Sequence, residues 1–491
     1  VPQPLAPGQK LSMEQNLRWM TVSGTVRFAS EQDGVALLEL VEGGWTLHAR
    51  VPGLSQEQVT GLLNATVEIH GVCESMPEPD VDEPVPPLTI WASSGEDIGI
   101  LHRLPLHASR MYVPPDSTAP TNRLPMQGFF GTRGVVTFNG SAFGTNFIFV
   151  QKDTTVVRVS LDNPAFGDQL KVGQRVDLGG ALDTTKDLPT LIPLIAGTVG
   201  WAPMPSPILR PLASARDKAI NGRWVEVEGV IHGVRTNGML AVSTRDGICH
   251  VWLTGVERER LEDYIDAKVR VRGVMLLRMA EAPVLLTPSL LHFAVEEEPQ
   301  NDPFSLPRQP VVHLTGLSPM EHPAHRIRVE GQITYKNSNS FFVQDRSGGI
   351  RVQMTPGEVV PNIGNTVNVV AFVDAAESMP VLIDAMVRPS QEHEELKPTV
   401  LNLDQSSIRN LKGTLVQPFA TLLGVRTNRE FTVFELQQQQ RVFSAIMNSE
   451  PGPSPAVRVG SRVKVTGILD YGSDMTSTES GAASTVAVLM R

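Results

Sequence analysis

One strand pattern recurs five times along this chain, and that recurrence limits the possible folds more than any other feature. The clearest copy reads Val329-Glu330-Gly331-Gln332-Ile333, then Ser340–Asp345, then Gly348–Val352, then Asn365–Val370. The first copy uses Val22–Val26, Val35–Leu40, Trp45–Val51 and Thr66–Val72. The second uses Thr132–Val136, Phe147–Asp153, Val156–Val159 and Val172–Gly180. The third uses Val225–Ile231, Met239–Val242, Gly247–Trp252 and Ala267–Val274. The fifth is degraded at its start. Its Gly424-Val425-Arg426-Thr427-Asn428 is identical to Gly233–Asn237, which aligns Ala420 with Gly229.

The matching glycines Gly24, Gly134, Gly229 and Gly331 lie 110, 95 and 102 positions apart. That period is too long for a solenoid repeat of about 20–50 residues and suits a small independent β domain. Five short strands, with a glycine or bulge letting the first strand curl through both sheets, describe an OB-type barrel. An immunoglobulin-like sandwich is the alternative and needs about seven strands. Weak helical stretches before the fourth strands, Gln56–Leu63 and Val256–Tyr264, favour the barrel. The expected fold is therefore all-β, a tandem array of about five small OB-like β-barrels joined by short docked linkers. The expected segments are a lead-in 1–20 and barrels over 21–113, 114–204, 205–300, 301–397 and 398–491. A short helix is expected over Ser12–Met20, with Ser12 as N-cap and Gln15 as its capping-box partner. The joints Ile208–Arg216, Pro310–Ser318 and Pro398–Ser406 read as strand-plus-turn linkers that dock on the next barrel, which would make a semi-rigid rod.

A chain of 491 residues is too long for one core, and 41% apolar residues suffice for several. Pro 38 and Gly 41 are spread throughout, as many short strands require. The two cysteines, Cys73 and Cys249, fall in different repeats and read as buried free thiols. No CxxC occurs, and no run of apolar residues is long enough to span a bilayer. The start at Val1 and the end at Arg491 on a strand-like run suggest a processed or excised piece.

The strings Gly222–Ile231 and Phe342–Val352 resemble segments in the large extracytoplasmic regions of bacterial sensor histidine kinases. In that family tandem OB-like modules precede a transmembrane helix and a kinase core. The resemblance covers most of the chain from about Val22. It implies a sensory region on the periplasmic side of an inner membrane, tethered through a C-terminal helix and binding an unknown small molecule or envelope protein. Any kinase activity would lie outside this sequence.

The motif search finds no catalytic set: GxxxxGK[ST], GxSxG, HExxH, HRD and DFG are absent. No catalytic residue, cofactor or metal is expected. His322-Pro323-Ala324-His325 has an HxxH spacing, but Pro323 breaks the helix that would align two ligands. His48 and His70 lie on strands of the first barrel and read as a half-exposed pair. Asp80-Val81-Asp82-Glu83 is the densest acidic cluster, yet lacks the Gly and Glu of a calcium loop. Glu296-Glu297-Glu298 reads as an exposed charge run.

OB barrels bind single strands by stacking bases on aromatics of strands 2 and 3, positions held here by Phe147, Phe149, Trp252 and Phe341. Alternation turns about half of such rings inward. With a net charge of −10 and no basic stripe, nucleic acid is an unfavoured partner and the runner-up reading, beside a structural spacer. The expected ligand face is the loop side of the fourth barrel, around Tyr335, Asn337, Phe341 and Arg351.

Overall fold

The computed structural model describes residues 3–5, 16–32, 34–43, 45–74, 88–103, 109–112, 129–160, 170–185, 188–209, 218–277, 282–315, 324–354, 358–374, 380–391, 396–403, 411–428, 431–448, 457–471 and 486–490. Barrel 1 is built of Trp19–Gln32, Val35–Glu42, Trp45–Pro52, Ala65–Glu74 and Leu88–Trp91. Barrel 2 uses Phe129–Ala142, Thr145–Lys152, Thr155–Ser160, Gln174–Asp183 and Thr190–Trp201. Barrel 3 uses Trp224–Val234, Leu240–Thr244, Gly247–Leu253, Lys268–Leu276 and Val284–Thr287. Barrel 4 uses Ile327–Lys336, Ser340–Gln344, Gly349–Met354, Thr366–Asp374 and Val381–Pro389. Barrel 5 uses Leu415–Thr427, Phe431–Gln438, Arg441–Asn448, a split fourth strand Arg462–Lys464 and Gly467–Tyr471, and Val486–Met490.

All five share one topology. Strands follow the order 1-2-3-5-4 and close by pairing 1 with 4. Strand 3 runs parallel to strand 5 in every copy. This is the OB-type barrel, and it excludes the sandwich. Alternation fills each interior: Ala65–Glu74 places every second residue in the core. Separate apolar clusters occupy barrels 1, 2, 4 and 5. The first-strand glycine is steric in origin. A Cβ at Gly134, Gly229 or Gly331 would lie 2.7, 2.3 or 2.4 Å from the carbonyl oxygen of Gln151, Ser243 or Gln344.

Strand 1 bulges just beyond that point in barrels 1, 2, 4 and 5, re-aiming the residue that follows. The turn into strand 4 holds one left-handed residue in each barrel: Asn64, Gly173, Asp266, Gly364 and Gly460, with φ of 63, 86, 77, 92 and 89°. Each donates its N–H to a strand 1 carbonyl, on Val26, Val136, Ile231, Ile333 and Leu422 respectively. Only Gly, Asn and Asp adopt that φ at low cost, and those are the residue types found.

The expected helices appear at Gln56–Gly61, with a capping box between Ser55 and Gln58, and at Arg258–Glu262. Two docked linkers are strands added parallel to strand 1, Ile208 meeting Val225 and Thr399 meeting Val416, as Gln3 of the lead-in meets Met20. The third expected linker, Pro310–Ser318, holds a helix instead, Val312–Thr315, because Val311 and Leu314 turn into the barrel 4 core; only an isolated bridge from Arg308 to Arg328 precedes it. Two further expectations change. Asn16 and Leu17 form a turn, and Trp19 and Met20 open strand 1, so no helix reaches Met20; residues 12–15 lie outside the described residues. Ser109–Tyr112 pairs with Thr190–Trp201 and so belongs to the sheet of barrel 2.

The chain divides into two compact units. One holds residues 1–229, 234–262 and 269–296, and the other holds 230–233, 263–268 and 297–491.

Candidate functional site

The four residues expected to form a ligand face do not share an open surface. Phe341 is fully buried in the core of barrel 4, because its strand position points inward. Tyr335 is 6% exposed and its hydroxyl accepts a hydrogen bond from Asn448 of barrel 5. Burial raises the Tyr335 pKa. The Asn337 side-chain oxygen closes its own turn, accepting from the amides of Asn339 and Ser340 and from the Ser340 hydroxyl. Arg351 is half-buried opposite Phe342.

The reason is that barrel 5 covers this face. Tyr335 and Phe342 pack with Leu415 and Ile468 of barrel 5. The Leu415 amide donates to Gln344 Oε1 at 2.7 Å. A Cβ on Gly349 would sit 2.0 Å from the Gly413 carbonyl oxygen, so the two backbones are in direct contact.

The same joint occurs in the first unit. There Phe138 and Phe149 of barrel 2 pack with Trp224 of barrel 3, and the Trp224 amide donates to Gln151 Oε1 at 2.8 Å. Phe138 matches Tyr335 and Phe149 matches Phe342: each pair follows the strand 1 bulge and faces across strands 1 and 2. Thr137 and Thr334, the bulge residues, both donate to the carbonyl of the outer phenylalanine. The aromatic strand face that an OB barrel uses to hold a ligand is thus occupied, in barrels 2 and 4, by the first strand of the following barrel. Sequence reasoning missed Gln151, Gln344, Trp224 and Leu415. Their signal was the shared Phe-Val-Gln string at Phe149–Gln151 and Phe342–Gln344.

The left-handed turn residues with side chains make a second kind of contact. Asn64 is bonded twice to the Trp201 backbone, through Oδ1 to its amide and Nδ2 to its carbonyl. Asp266 Oδ1 accepts from the Arg326 amide and pairs with the His325 ring at 3.2 Å. The Asp266 hydrogen bond raises the His325 pKa. His322 lies outside the described residues, as does Asp80–Glu83. His48 and His70 are engaged separately, His48 with Glu39 and His70 with Thr21 and Glu68.

Cys73 and Cys249 are buried free thiols, with pKa values pushed up by burial to about 11 and about 12. No group of three or more metal-ligating side chains occurs among the described residues. No helix among them is long and apolar enough to cross a membrane.

Among the described residues, barrels 1 and 5 expose aromatic or apolar side chains beside cations. In barrel 1, the Arg50 guanidinium lies 4.8 Å over the Trp91 ring, and Trp91 is 42% exposed. In barrel 5, Phe419, Leu423 and Val442 are exposed, and Arg426, Arg462 and Lys464 are exposed on the same or adjoining strands. Lys464 stands opposite Phe419 and Arg462 opposite Thr421.

Fold and joints together define the class: a tandem array of five OB-type barrels, in which barrels 2 and 4 each take the opening of the following barrel on a strand face. No family model matches the chain, and no curated protein matches it. Among solved structures it is similar to an aspartyl-tRNA synthetase from Entamoeba histolytica (18% identity, TM-score 0.15), over 20% of this chain and 23% of that one. It is also similar to a murine DNA-binding protein bound to double-stranded DNA (8% identity, TM-score 0.19), over 33% and 92%. A third is fission yeast Pot1 with single-stranded DNA (8% identity, TM-score 0.20), over 37% and 83%. The chain thus spans less than a quarter of the synthetase. Likenesses of this size add nothing to the barrel topology.

Proposed function

We propose that the chain is a non-catalytic binding scaffold whose barrel faces recognise protein, in the form of the opening strand of another barrel. The carrying observation is the twice-used joint in which Gln151 and Gln344 cap the amides of Trp224 and Leu415. Within a sensory region of a signalling kinase, the role implied by the resemblance, docked joints of this kind would pass a binding event from barrel to barrel. Hydrogen exchange on the intact chain tests the docking. The amides of Trp224 and Leu415 should exchange as slowly as core strand amides. Exchange at the rate of exposed loops would remove the proposal.

A second reading, single-stranded nucleic acid on barrel 5, is favoured by one observation: the exposed cations Arg462 and Lys464 beside Phe419. Anisotropy with a labelled oligonucleotide across a salt series tests it. The reading requires binding that weakens as salt rises, with a shallower slope in an Arg462→Glu/Lys464→Glu variant. Absence of binding at low salt would end it.

A further inference from the structure

The joint between barrels has a plug and a socket, and this chain carries one more of each than its two joints use. The plugs are three-residue openings of strand 1. Gly222-Arg223-Trp224 and Gly413-Thr414-Leu415 are the two in use, and Leu17-Arg18-Trp19 of barrel 1 has the same construction. The first residue of each is left-handed, with φ of 79, 78 and 61°. The Gly222, Gly413 and Leu17 amides donate to the carbonyls of Met275, Leu469 and Cys73. The Met275, Leu469 and Cys73 amides donate back to Arg223, Thr414 and Arg18. A leucine holding that φ is strained by about 1 kcal/mol or more. In the seated plugs Trp224 and Leu415 are each 1% exposed. In barrel 1 Trp19 is 40% exposed and Leu17 66%.

The third socket is in barrel 5. Gln437 follows Leu436 as Gln151 follows Val150 and Gln344 follows Val343, each beside the strand 1 bulge. Its amide nitrogen donates to the Gln439 carbonyl as that of Gln151 donates to Asp153. Both acceptor residues have left-handed backbones, with φ of 54 and 52°. Gln437 Oε1 accepts no hydrogen bond among the described residues. Beside it, Val442, its cross-strand partner, is 52% exposed and Leu423 is 38% exposed. Gly424 and Glu435 replace the aromatic pair that lines the other two sockets.

We propose that copies of this chain associate head to tail. Trp19 of one copy seats on the strand face of barrel 5 of a second copy and donates its amide to Gln437 Oε1. Arg18, next to Trp19, and Glu435, which holds the place of the outer phenylalanine, carry opposite charges, and both are exposed in the single chain. The overall charges agree with this pairing. Residues 1–103 hold five Lys/Arg against fourteen Asp/Glu, and residues 398–491 hold nine against seven. The contact is heterologous, so repetition gives a series of oligomers beyond the dimer. The proposal rests on the docking-face reading above.

Sedimentation velocity over a concentration series of the intact chain is the test. The expected result is concentration-dependent oligomers, with Trp19→Ala and Gln437→Ala each weakening association at least tenfold. Arg18→Glu and Glu435→Arg should each weaken it, and the double exchange should restore it; these residues are exposed, so folding is preserved. A monomer at every concentration overturns the proposal, as does an oligomer indifferent to Trp19 and Gln437. If the Leu415 amide is protected in such a monomer, the docking-face reading stands and only self-association falls.

Discussion

Gly349→Ala is the sharpest perturbation of the joint between barrels 4 and 5. The added methyl would lie 2.0 Å from the Gly413 carbonyl oxygen and 2.7 Å from its carbon. Ordinary contact begins at 3.4 Å, and both sides are backbone, so no rotamer relieves the overlap. The barrels must separate at this point. Separation breaks the Gln344–Leu415 and Asn448–Tyr335 hydrogen bonds, worth about 1 kcal/mol each. It also uncovers part of Tyr335, Phe342, Leu415 and Ile468, and each large apolar side chain loses roughly 1.5–3 kcal/mol if fully exposed. Partial exposure of four such groups puts the loss at about 5 kcal/mol for the joint, with the barrel cores intact. Hydrogen exchange by mass spectrometry reads this directly: the peptide containing Leu415 should exchange on the order of a thousandfold faster in the variant. The barrel 1 peptide Ala65–Glu74 should be unchanged. Wild-type protection at Leu415 in Gly349→Ala would refute the backbone contact and with it the account of the joint.

His292 and Asn64 give two further tests. His292 lies edge-on to Phe28 and Trp224, with centroids 5.0 and 4.9 Å away. Burial first, and the Arg272 charge second, push its pKa down to about 3, with Glu39 opposing. The unfolded chain therefore takes up this proton near pH 6.5 while the folded chain does not, so stability falls as pH drops from about 6.5 towards 3. The slope is at most about 1.4 kcal/mol per pH unit, and urea melts should show that His292→Leu lacks this share of the acid sensitivity. Asn64→Gly keeps the φ of 63° but removes both bonds to Trp201, and should cost about 1–3 kcal/mol in a thermal melt; Asn64→Ala should cost about 1 kcal/mol more for the strained backbone. Equal melts for the two variants would show that the backbone conformation relaxes.

The barrels were legible because their signals are local. Gly134, Gly229 and Gly331 mark the strand crossing, and the identity of Gly424–Asn428 with Gly233–Asn237 set the register of the degraded copy. The five left-handed turn residues were equally visible as Asn, Gly, Asp, Gly and Gly, but their role needed the strand 1 carbonyl to which each is bonded. The candidate face was misjudged for a different reason. Alternation separates inward from outward positions, so Phe341 and Phe342 were known to point apart. It does not say what covers the outward one. Phe342 is buried by Leu415, a residue 73 positions on, and nothing in the local pattern of barrel 4 carries that contact. Nothing in the sequence of barrel 4 alone singles out Gln344, because its partner is a backbone amide, which every residue but proline offers.

The twice-used joint also has a consequence for valence. In an array strung on free linkers, each added module adds a binding site, and avidity grows with length. Here the joint is made from the strand face itself, so barrels 2 and 4 each give that face up to the barrel that follows. Adding barrels by this joint would cover one such face for every new one supplied. A pair of barrels is then the natural unit of duplication.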